Sequence, residues 1–231
     1  NIERSITHMS IYIVLTADIV KSRKLKKTQS QEDEVRNKIR ALNERLKDRL
    51  LVRFSLMRGD EIQGVLLPEA GVAEATRQMR YLLRPFKLRI GIGVGEITAG
   101  LGSSNSWEMD GPSFHLAREA LESLKTRERG TKPMTMVCTD SLDLDEMINV
   151  MFLLMDSIIK RWTPEQWEAV DAYSRLGTYK AAAHEIGIAF QNVQKRCYAA
   201  RWGEIRRAEE YICRALQRFA REKMKTHPSP R

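Results

Sequence analysis

The feature that most constrains the fold is an apolar run, Ile11 to Ala17, which leads directly to the carboxylate of Asp18. An uncharged run rich in β-branched residues is typical of a strand that is buried on both faces of a sheet. Two alternating runs follow at 52–57 and 62–67, and the Gly-Asp pair between them is a strong signal for a β-hairpin. The chain up to about residue 145 is therefore predicted to be organised around a sheet.

Three carboxylates fall where these strands end, so pairing of the strands would bring them to one end of the sheet: Asp18, Asp60 and Glu61. Oxygen clusters of this kind bind hard divalent cations, and Mg²⁺ usually takes only one or two protein carboxylates, with water and phosphates as its other ligands. The sequence thus predicts a metal-nucleotide site. The alternative is a tight hairpin with solvated acids and an unrelated Asp18.

The remaining periodicities complete an α+β pattern. Helices are predicted from Thr28 to about Leu50, at 69–83 and at 112–125, and strands at 86–97 and 134–138. The order strand, helix, hairpin, helix, strand, helix, strand extends the split βαβ pattern of a ferredoxin-like sheet, with the helices expected on one face. Glycines at 91, 93 and 95 leave one strand face bare, so a helix or a ligand could approach it closely.

Four short motifs in this region resemble the palm-like catalytic domain that class III nucleotidyl cyclases share with GGDEF-type diguanylate cyclases. They are ADIV at 17–20, RGDEIQGVLLP at 58–68, RIGIGVGEI at 89–97 and MDGPSFHLAREAL at 109–121. The whole chain, with its C-terminal part, more closely resembles the SatD family of bacterial proteins. The cyclase resemblance implies Mg²⁺ or Mn²⁺ ions that clamp a nucleotide and activate a hydroxyl for phosphoryl transfer.

The resemblance also implies roles for individual residues. The metal ligands would be Asp18, Asp60 and Glu61, and the nucleotide would be contacted by Ile19, Lys21, Arg58 and Gly59. Lys21 begins a basic stretch, KSRKLKK, that fits either a phosphate-facing strap or a solvated approach to the next helix. The catalytic positions fall on His115 and Arg118.

Several of these positions depart from the cyclase pattern. The family usually places an asparagine and, four residues later, an arginine on the helix where this chain has His115 and Arg118. Leu56 stands where adenylate-specific cyclases carry a lysine, and Arg58 replaces the first glycine of the GGDEF pattern. Nucleotide binding tolerates these changes better than cyclisation does. An active metal-dependent nucleotidyl cyclase or nucleotidyltransferase remains the alternative function.

Beyond residue 160 the chain becomes helical and basic. From 161 to 231 it contains 14 Lys and Arg against 8 Asp and Glu. A Thr163-Pro164 helix start is followed by YKAAAHEIGIAFQNVQKRCYAARW at 179–202, which resembles the helix-turn-helix of bacterial regulators. Its third helix has no acid and offers amides for base edges and cations for phosphates: Gln191, Asn192, Gln194, Lys195, Arg196 and Arg201. A helical oligomerisation module is the alternative.

These patterns predict a palm-like domain at 10–142, a connecting helix at 143–160, a helix-turn-helix domain with a C-terminal helix at 161–225 and a disordered tail at 226–231. Residues 1–8 are expected to be an extension or foreign residues before Met9. The connecting helix is apolar enough to be buried between domains or subunits. The last helix, 204–225, has an apolar stripe suited to pairing with a second copy, which predicts a homodimer.

Charge and cysteine usage set the expected partners and compartment. The net charge of +9 indicates an anionic partner, and no apolar run is long enough to cross a bilayer. The three cysteines have no metal-ligand spacing and make no even disulfide set, so a reducing cytoplasm is expected. Together the patterns predict a cytoplasmic DNA-binding regulator whose N-terminal domain binds a metal-nucleotide or a nucleotide second messenger.

Overall fold

The computed structural model describes residues 11–20, 29–57, 61–126 and 133–226. Up to residue 138 the chain contains both strands and helices, and only helices follow. The elements are β1 (Ile11–Ile19), α1 (Gln29–Leu46), β2 (Leu50–Leu56), β3 (Glu61–Leu66), α2 (Val72–Leu82), β4 (Leu88–Glu96), α3 (Pro112–Thr126), β5 (Thr135–Cys138), α4 (Leu142–Ile159), α5 (Pro164–Leu176), α6 (Tyr179–Ile186), α7 (Phe190–Ala199) and α8 (Trp202–Thr226).

The five strands form one sheet in the order β2-β3-β1-β4-β5. The central strand β1 is antiparallel to both β3 and β4, and β5 extends the edge parallel to β4. β3 lies between β1 and β2, which are joined through α1, so the first four strands have the split βαβ connectivity. The predicted α+β class, with a five-stranded sheet and an all-helical C-terminal part, is confirmed.

The helices differ from the expected arrangement because they divide between the two faces of the sheet. Ile90 and Ile92 of β4 belong to the core that contains the apolar residues of α1 and α2, whereas the alternating glycines point to α3. A Cβ atom on Gly93 would lie 2.0 Å from the carbonyl oxygen of Ser113 in α3. The bare glycine face therefore lets α3 pack against the sheet opposite α1 and α2.

The helix α4 covers the free edge of β5. The side chain of Asn149 accepts a hydrogen bond from the backbone N–H of Val137 at 2.7 Å and donates one to its carbonyl at 2.8 Å. Asp156 accepts from the N–H of Met134 at 2.8 Å, and Asp145 from the N–H of Thr139 at 2.9 Å. An uncovered edge strand invites pairing with another chain, so these side chains terminate the sheet at β5.

The C-terminal helices pack on the face formed by α1 and α2. A single hydrophobic cluster continues from the sheet into α4, α5, α7 and α8. The predicted partner-facing stripe of α8 is wrong, because Ile205, Ile212 and Leu216 are buried within the same chain. This part of α8 contacts α2, α4 and α7, which provide enough apolar surface to bury the stripe. The division into domains stays a prediction.

No helix within the described part of the chain is long and apolar enough to span a membrane.

Candidate functional site

The end of β1 brings together two of the predicted carboxylates. In the strand register Asp18 lies opposite Glu61 of β3 on one side and opposite Arg89 of β4 on the other. Directly opposed residues of antiparallel strands point to the same face of the sheet, which here is the face covered by α3. The predicted meeting of the strands is therefore observed for Asp18 and Glu61.

Three cations surround these carboxylates. The Nε of Arg89 donates to Oδ1 of Asp18 at 3.0 Å, and the Nζ of Lys125 in α3 lies 3.9 Å from Oδ2. A guanidinium nitrogen of Arg118, which belongs to α3, lies 3.8 Å from Oε1 of Glu61 on the neighbouring strand β3. Asp18 is only 7% exposed, whereas the Arg118 side chain is 72% exposed and reaches solvent. We call these five residues the sheet-end charge cluster.

The sheet-end charge cluster combines side chains that can bind metal ions with side chains that can bind anions. Among the described residues no group of three His, Cys, Asp or Glu side chains could hold a metal. Oδ1 of Asp18 already accepts from Arg89, so a divalent ion on Asp18 would have to compete with a guanidinium. Arg and Lys side chains, by contrast, are the usual protein ligands of phosphate groups. The predicted residues Lys21, Arg58, Gly59 and Asp60 lie outside the described residues.

The two predicted catalytic positions are separated by their partners. Arg118 belongs to the sheet-end charge cluster, but Nε2 of His115 lies 3.4 Å from Oδ1 of Asp110, and both side chains are largely exposed. No described contact joins His115 to Asp18 or Glu61. Ile19 is buried at the end of β1, opposite Leu88.

Sequence reasoning missed Arg89 and Lys125, although both left a signal. Arg89 precedes Gly91 by two residues and so shares its strand face, while Lys125 follows Arg118 by two helical turns. Neither signal identifies Asp18 as the partner, because that depends on how β1 pairs with β4 and how α3 crosses the sheet.

The second candidate site is formed by α5, α6 and α7, which pack on one another. We call these three helices the helix-turn-helix unit, after the pattern predicted from their sequence. The hydroxyl of Thr163 accepts from the N–H of Gln166 and so begins α5, and Thr178 caps α6 in the same way. Gly177 and Gly187 end these two helices with φ of 74° and 70°. At such positive φ a residue without Cβ avoids strain, so both turns are encoded locally.

The outward face of α7 is polar and carries no acid. Val193 and Cys197 are buried, while the amide and cationic side chains lie on the exposed face: Gln191, Asn192, Gln194 and Lys195. Arg196 is half-buried and lies 3.4 Å from Glu168 of α5. Arg201, just beyond α7, has φ of 55° and is 2.5 Å from Glu204. The prediction did not include Tyr198, which is 85% exposed and continues this face.

The sequence pattern of the SatD family matches residues 12–200, which is most of the chain. The chain belongs to the SatD family. This match extends through the sheet, α4 and the helix-turn-helix unit. No curated protein is similar enough to this SatD chain to match it significantly.

Several solved structures resemble this SatD protein in part. A bacterial light-regulated adenylyl cyclase is 17% identical, with a TM-score of 0.40 over 56% of this chain and 76% of the other. The guanylyl cyclase Cya2 is 18% identical, with a TM-score of 0.34 over 49% of this chain and 70% of the other. A regulator of polyketide synthase expression from Bifidobacterium adolescentis is 11% identical, with a TM-score of 0.27 over 93% of this chain and 81% of the other. Similarities at this level carry no argument about chemistry.

Proposed function

We propose that this SatD protein is a DNA-binding regulator that docks α7 in the major groove. The observation that carries the proposal is the outward face of α7, which offers three amides and a cation without an acid among them. Such a face matches a duplex in both respects, because amides can pair with adenine edges and cations with phosphates. The exposed Tyr198 extends the same face and adds a phenol that can contact the phosphate backbone of the DNA.

The contacts within the helix-turn-helix unit refine the roles of its arginines. Arg196 is engaged by Glu168 and therefore acts mainly to position α7 against α5. Arg201 is anchored by Glu204 near the end of α7, where it can exchange this exposed carboxylate for a phosphate. Gln191, Asn192 and Gln194 are then the residues that read sequence, with Lys195 on the phosphate backbone.

DNA binding is tested by titrating labelled random duplex DNA with the protein at several salt concentrations. Binding should weaken steeply as salt increases, because cations that neutralise phosphates release counterions. Lys195→Glu should weaken binding by about tenfold or more, whereas Arg53→Glu, the same charge change at an exposed position of β2, should have a much smaller effect. Equal losses in both variants, or no binding at low salt, would contradict docking through α7.

Sequence preference requires a separate measurement. Selection of bound duplexes from a random library should yield an enriched motif for the wild type, and the variant Gln191→Ala/Asn192→Ala should lose preference at the adenine positions while it still binds at low salt. A motif that is unchanged in this variant would exclude these amides as base-reading residues.

We further propose that the sheet-end charge cluster binds the phosphates of a nucleotide, which makes the N-terminal part the sensor of the regulator. Arg89, Arg118 and Lys125 support this proposal, since all three side chains are of the kind that binds phosphate. Lys125 also donates to Oε1 of Glu122 at 2.7 Å, a partner that a phosphate would have to replace. The Mg²⁺ or Mn²⁺ ion predicted from the sequence is a hypothesis within this proposal. It would need Asp18 to be released from Arg89 and would gain from Asp60, which the described residues do not include.

Calorimetry with a panel of nucleotides, each with and without Mg²⁺, separates these two steps. Lys125→Ala should weaken binding in both conditions, because it removes a phosphate ligand, while Asp18→Asn should abolish only the increase that Mg²⁺ causes. Arg53→Ala serves as the control for loss of a surface charge. Absence of binding by every nucleotide in both conditions would contradict the sensor.

Catalysis is the less favoured alternative. Asp18, which a cyclase or nucleotidyltransferase would use as a metal ligand, accepts from Arg89, and His115 lies beside Asp110 without a described contact to Asp18 or Glu61. Release of pyrophosphate from a nucleoside triphosphate in the presence of Mg²⁺ or Mn²⁺, abolished by Asp60→Ala, would establish the enzyme instead.

A further inference from the structure

The helix α4 exposes an apolar face directly opposite the face it buries. Its buried side contributes Ile148, Phe152 and Met155 to the core. On the outer side Met147, Val150 and Leu154 are 36%, 51% and 59% exposed within the described structure. Met147 lies at the margin of this face, since its Sδ accepts from the hydroxyl of Tyr211 in α8 at 3.3 Å. Exposed apolar residues that are contiguous on one helix face usually mark an interface.

This outer face has the spacing of a coiled-coil seam. Its residues alternate steps of four and three along α4 and the turn that follows: Asp143, Met147, Val150, Leu154, Ser157 and Arg161. We call this set the α4 seam. Such 4-3 spacing keeps the residues on one stripe, which packs against a second helix by inserting side chains between those of its partner. Over 18 residues the helix is about 27 Å long.

The charges at the two ends of the α4 seam have opposite sign. Asp143 and Glu146 lie at its N-terminal end, and Lys160 and Arg161 at its C-terminal end. None of these four forms an ion pair with another described residue. A helix with an acidic start, an apolar middle and a basic end is complementary to a copy of itself that runs in the opposite direction.

An antiparallel pair has a defined register on this sequence. A two-fold axis near Phe152 places Asp143 opposite Arg161 of the second copy, and Val150 opposite Leu154. On one edge of the seam Glu146 comes opposite Lys160, since antiparallel helices pair like edges. Each of the four charges would then meet its opposite, Val150 and Leu154 would cover each other, and Met147 would lie opposite Ser157.

A second copy of this chain is the partner that best matches the charges and apolar residues of the α4 seam. The stripe of α8 that the sequence suggested for pairing is buried in its own chain, and α4 is the helix that presents an apolar face of this length to solvent in the described structure. We propose that two copies of this chain associate through the α4 seam in antiparallel register. The proposal does not rest on DNA or nucleotide binding.

Charge reversal at the ends of the α4 seam tests the partner and its direction together. Asp143→Arg places two cations opposite each other at both ends of the pair, and Arg161→Asp places two anions there. Sedimentation velocity of the full chain across the micromolar range should show dissociation constants at least about tenfold larger for each variant than for the wild type. An equimolar mixture of the two variants should restore association, because every cation then faces an anion.

The apolar part of the α4 seam is tested separately. Val150→Lys should shift the protein to monomer at concentrations where Leu101→Lys, a change at an exposed leucine in a loop, leaves association unchanged. Circular dichroism confirms that both variants fold. A wild type that is monomeric throughout, an unchanged dissociation constant in Val150→Lys, or no rescue in the mixture would each overturn the proposal.

Discussion

Arg77 shows how one residue can join the two parts of the chain. Its side chain is 2% exposed, its Nε donates to Oε1 of Glu209 at 2.7 Å, and its guanidinium lies 4.6 Å from the ring of Trp202. Burial raises the pKa of the Glu209 carboxyl, and the charge of Arg77 opposes that increase. A buried pair of this kind is costly to leave half complete, because the remaining charge has no water around it.

The variant Arg77→Met is expected to lower the free energy of unfolding by about 3–5 kcal/mol, since it leaves the carboxylate of Glu209 buried without its partner. The double variant Arg77→Met/Glu209→Leu should recover most of this loss. Denaturation by urea measures both. The matched control is Arg206→Met, which breaks an exposed pair on α8, the helix of Glu209, and should cost less than about 1 kcal/mol. Equal losses for the two single variants would contradict a buried, solvent-free pair.

The thiol of Cys197 gives a prediction at high pH. Burial raises its pKa to about 11 from an ordinary value of 9.0. Between these two pH values the thiol of Cys197 stays protonated in the folded state but ionises in the unfolded state. The contribution of the buried thiol to the free energy of unfolding is therefore complete below pH 9 and is lost as the pH rises towards 11. Cys197→Ala should reduce the fall in the midpoint of urea unfolding across this interval. A fall of the same size in both proteins would exclude Cys197 as its cause.

At the scale of elements, contacts between α3 and β4 decide which face of the sheet each helix occupies. Gly91 and Gly93 lie against the backbone of α3, and a Cβ atom on Gly91 would be 2.4 Å from the carbonyl oxygen of Ala117. Because the neighbour is backbone and not a flexible side chain, α3 itself would have to move. This close approach also sets the positions of Arg118 and Lys125 over the carboxylates.

Gly93→Ala should therefore destabilise the protein by at least about 1–3 kcal/mol, through overpacking at the helix-sheet contact. Gly203→Ala is the control. Gly203 lies in the helix α8, and a Cβ atom at this position would have no neighbour within 4 Å. That change should stabilise the protein by up to about 1 kcal/mol. Thermal unfolding followed by circular dichroism distinguishes the two. If the sheet-end charge cluster binds a nucleotide, Gly93→Ala should also weaken that binding, because it displaces α3.

At the scale of the molecule, the continuous core favours one cooperative unit. Besides the Arg77 pair, Arg45 of α1 lies 2.5 Å from Asp171 of α5, and the rings of Tyr81 and Trp167 stack with centroids 6.1 Å apart. These contacts lie between the sheet part and the helix-turn-helix unit.

Unfolding by urea should therefore show a single transition, with the same midpoint for tryptophan fluorescence and for far-ultraviolet circular dichroism. The fluorescence reports mainly on the C-terminal part, since Trp162, Trp167 and Trp202 lie in and around α5 and α8. Two separate midpoints would instead support independent domains at 10–142 and 161–225, as the sequence suggested.

The sequence by itself determined the elements and much of their order. Period-two alternation and the run before Asp18 predicted the strands, and Thr163, Gly177 and Gly187 predicted the helix-turn-helix boundaries, because these signals act over a few residues. The adjacency of Asp18 and Glu61 followed from the pairing of alternating strands.

Only the tertiary structure decided how the faces of these elements are used. It ion-paired Asp18 with Arg89, placed α3 on the second face of the sheet, buried the stripe of α8 and left that of α4 exposed. An apolar stripe indicates that a helix has a packing face, but the partner of that face depends on contacts between residues distant in the sequence. The pair of Arg77 and Glu209, which are 132 residues apart, is one such contact, and no local pattern in the sequence predicts it.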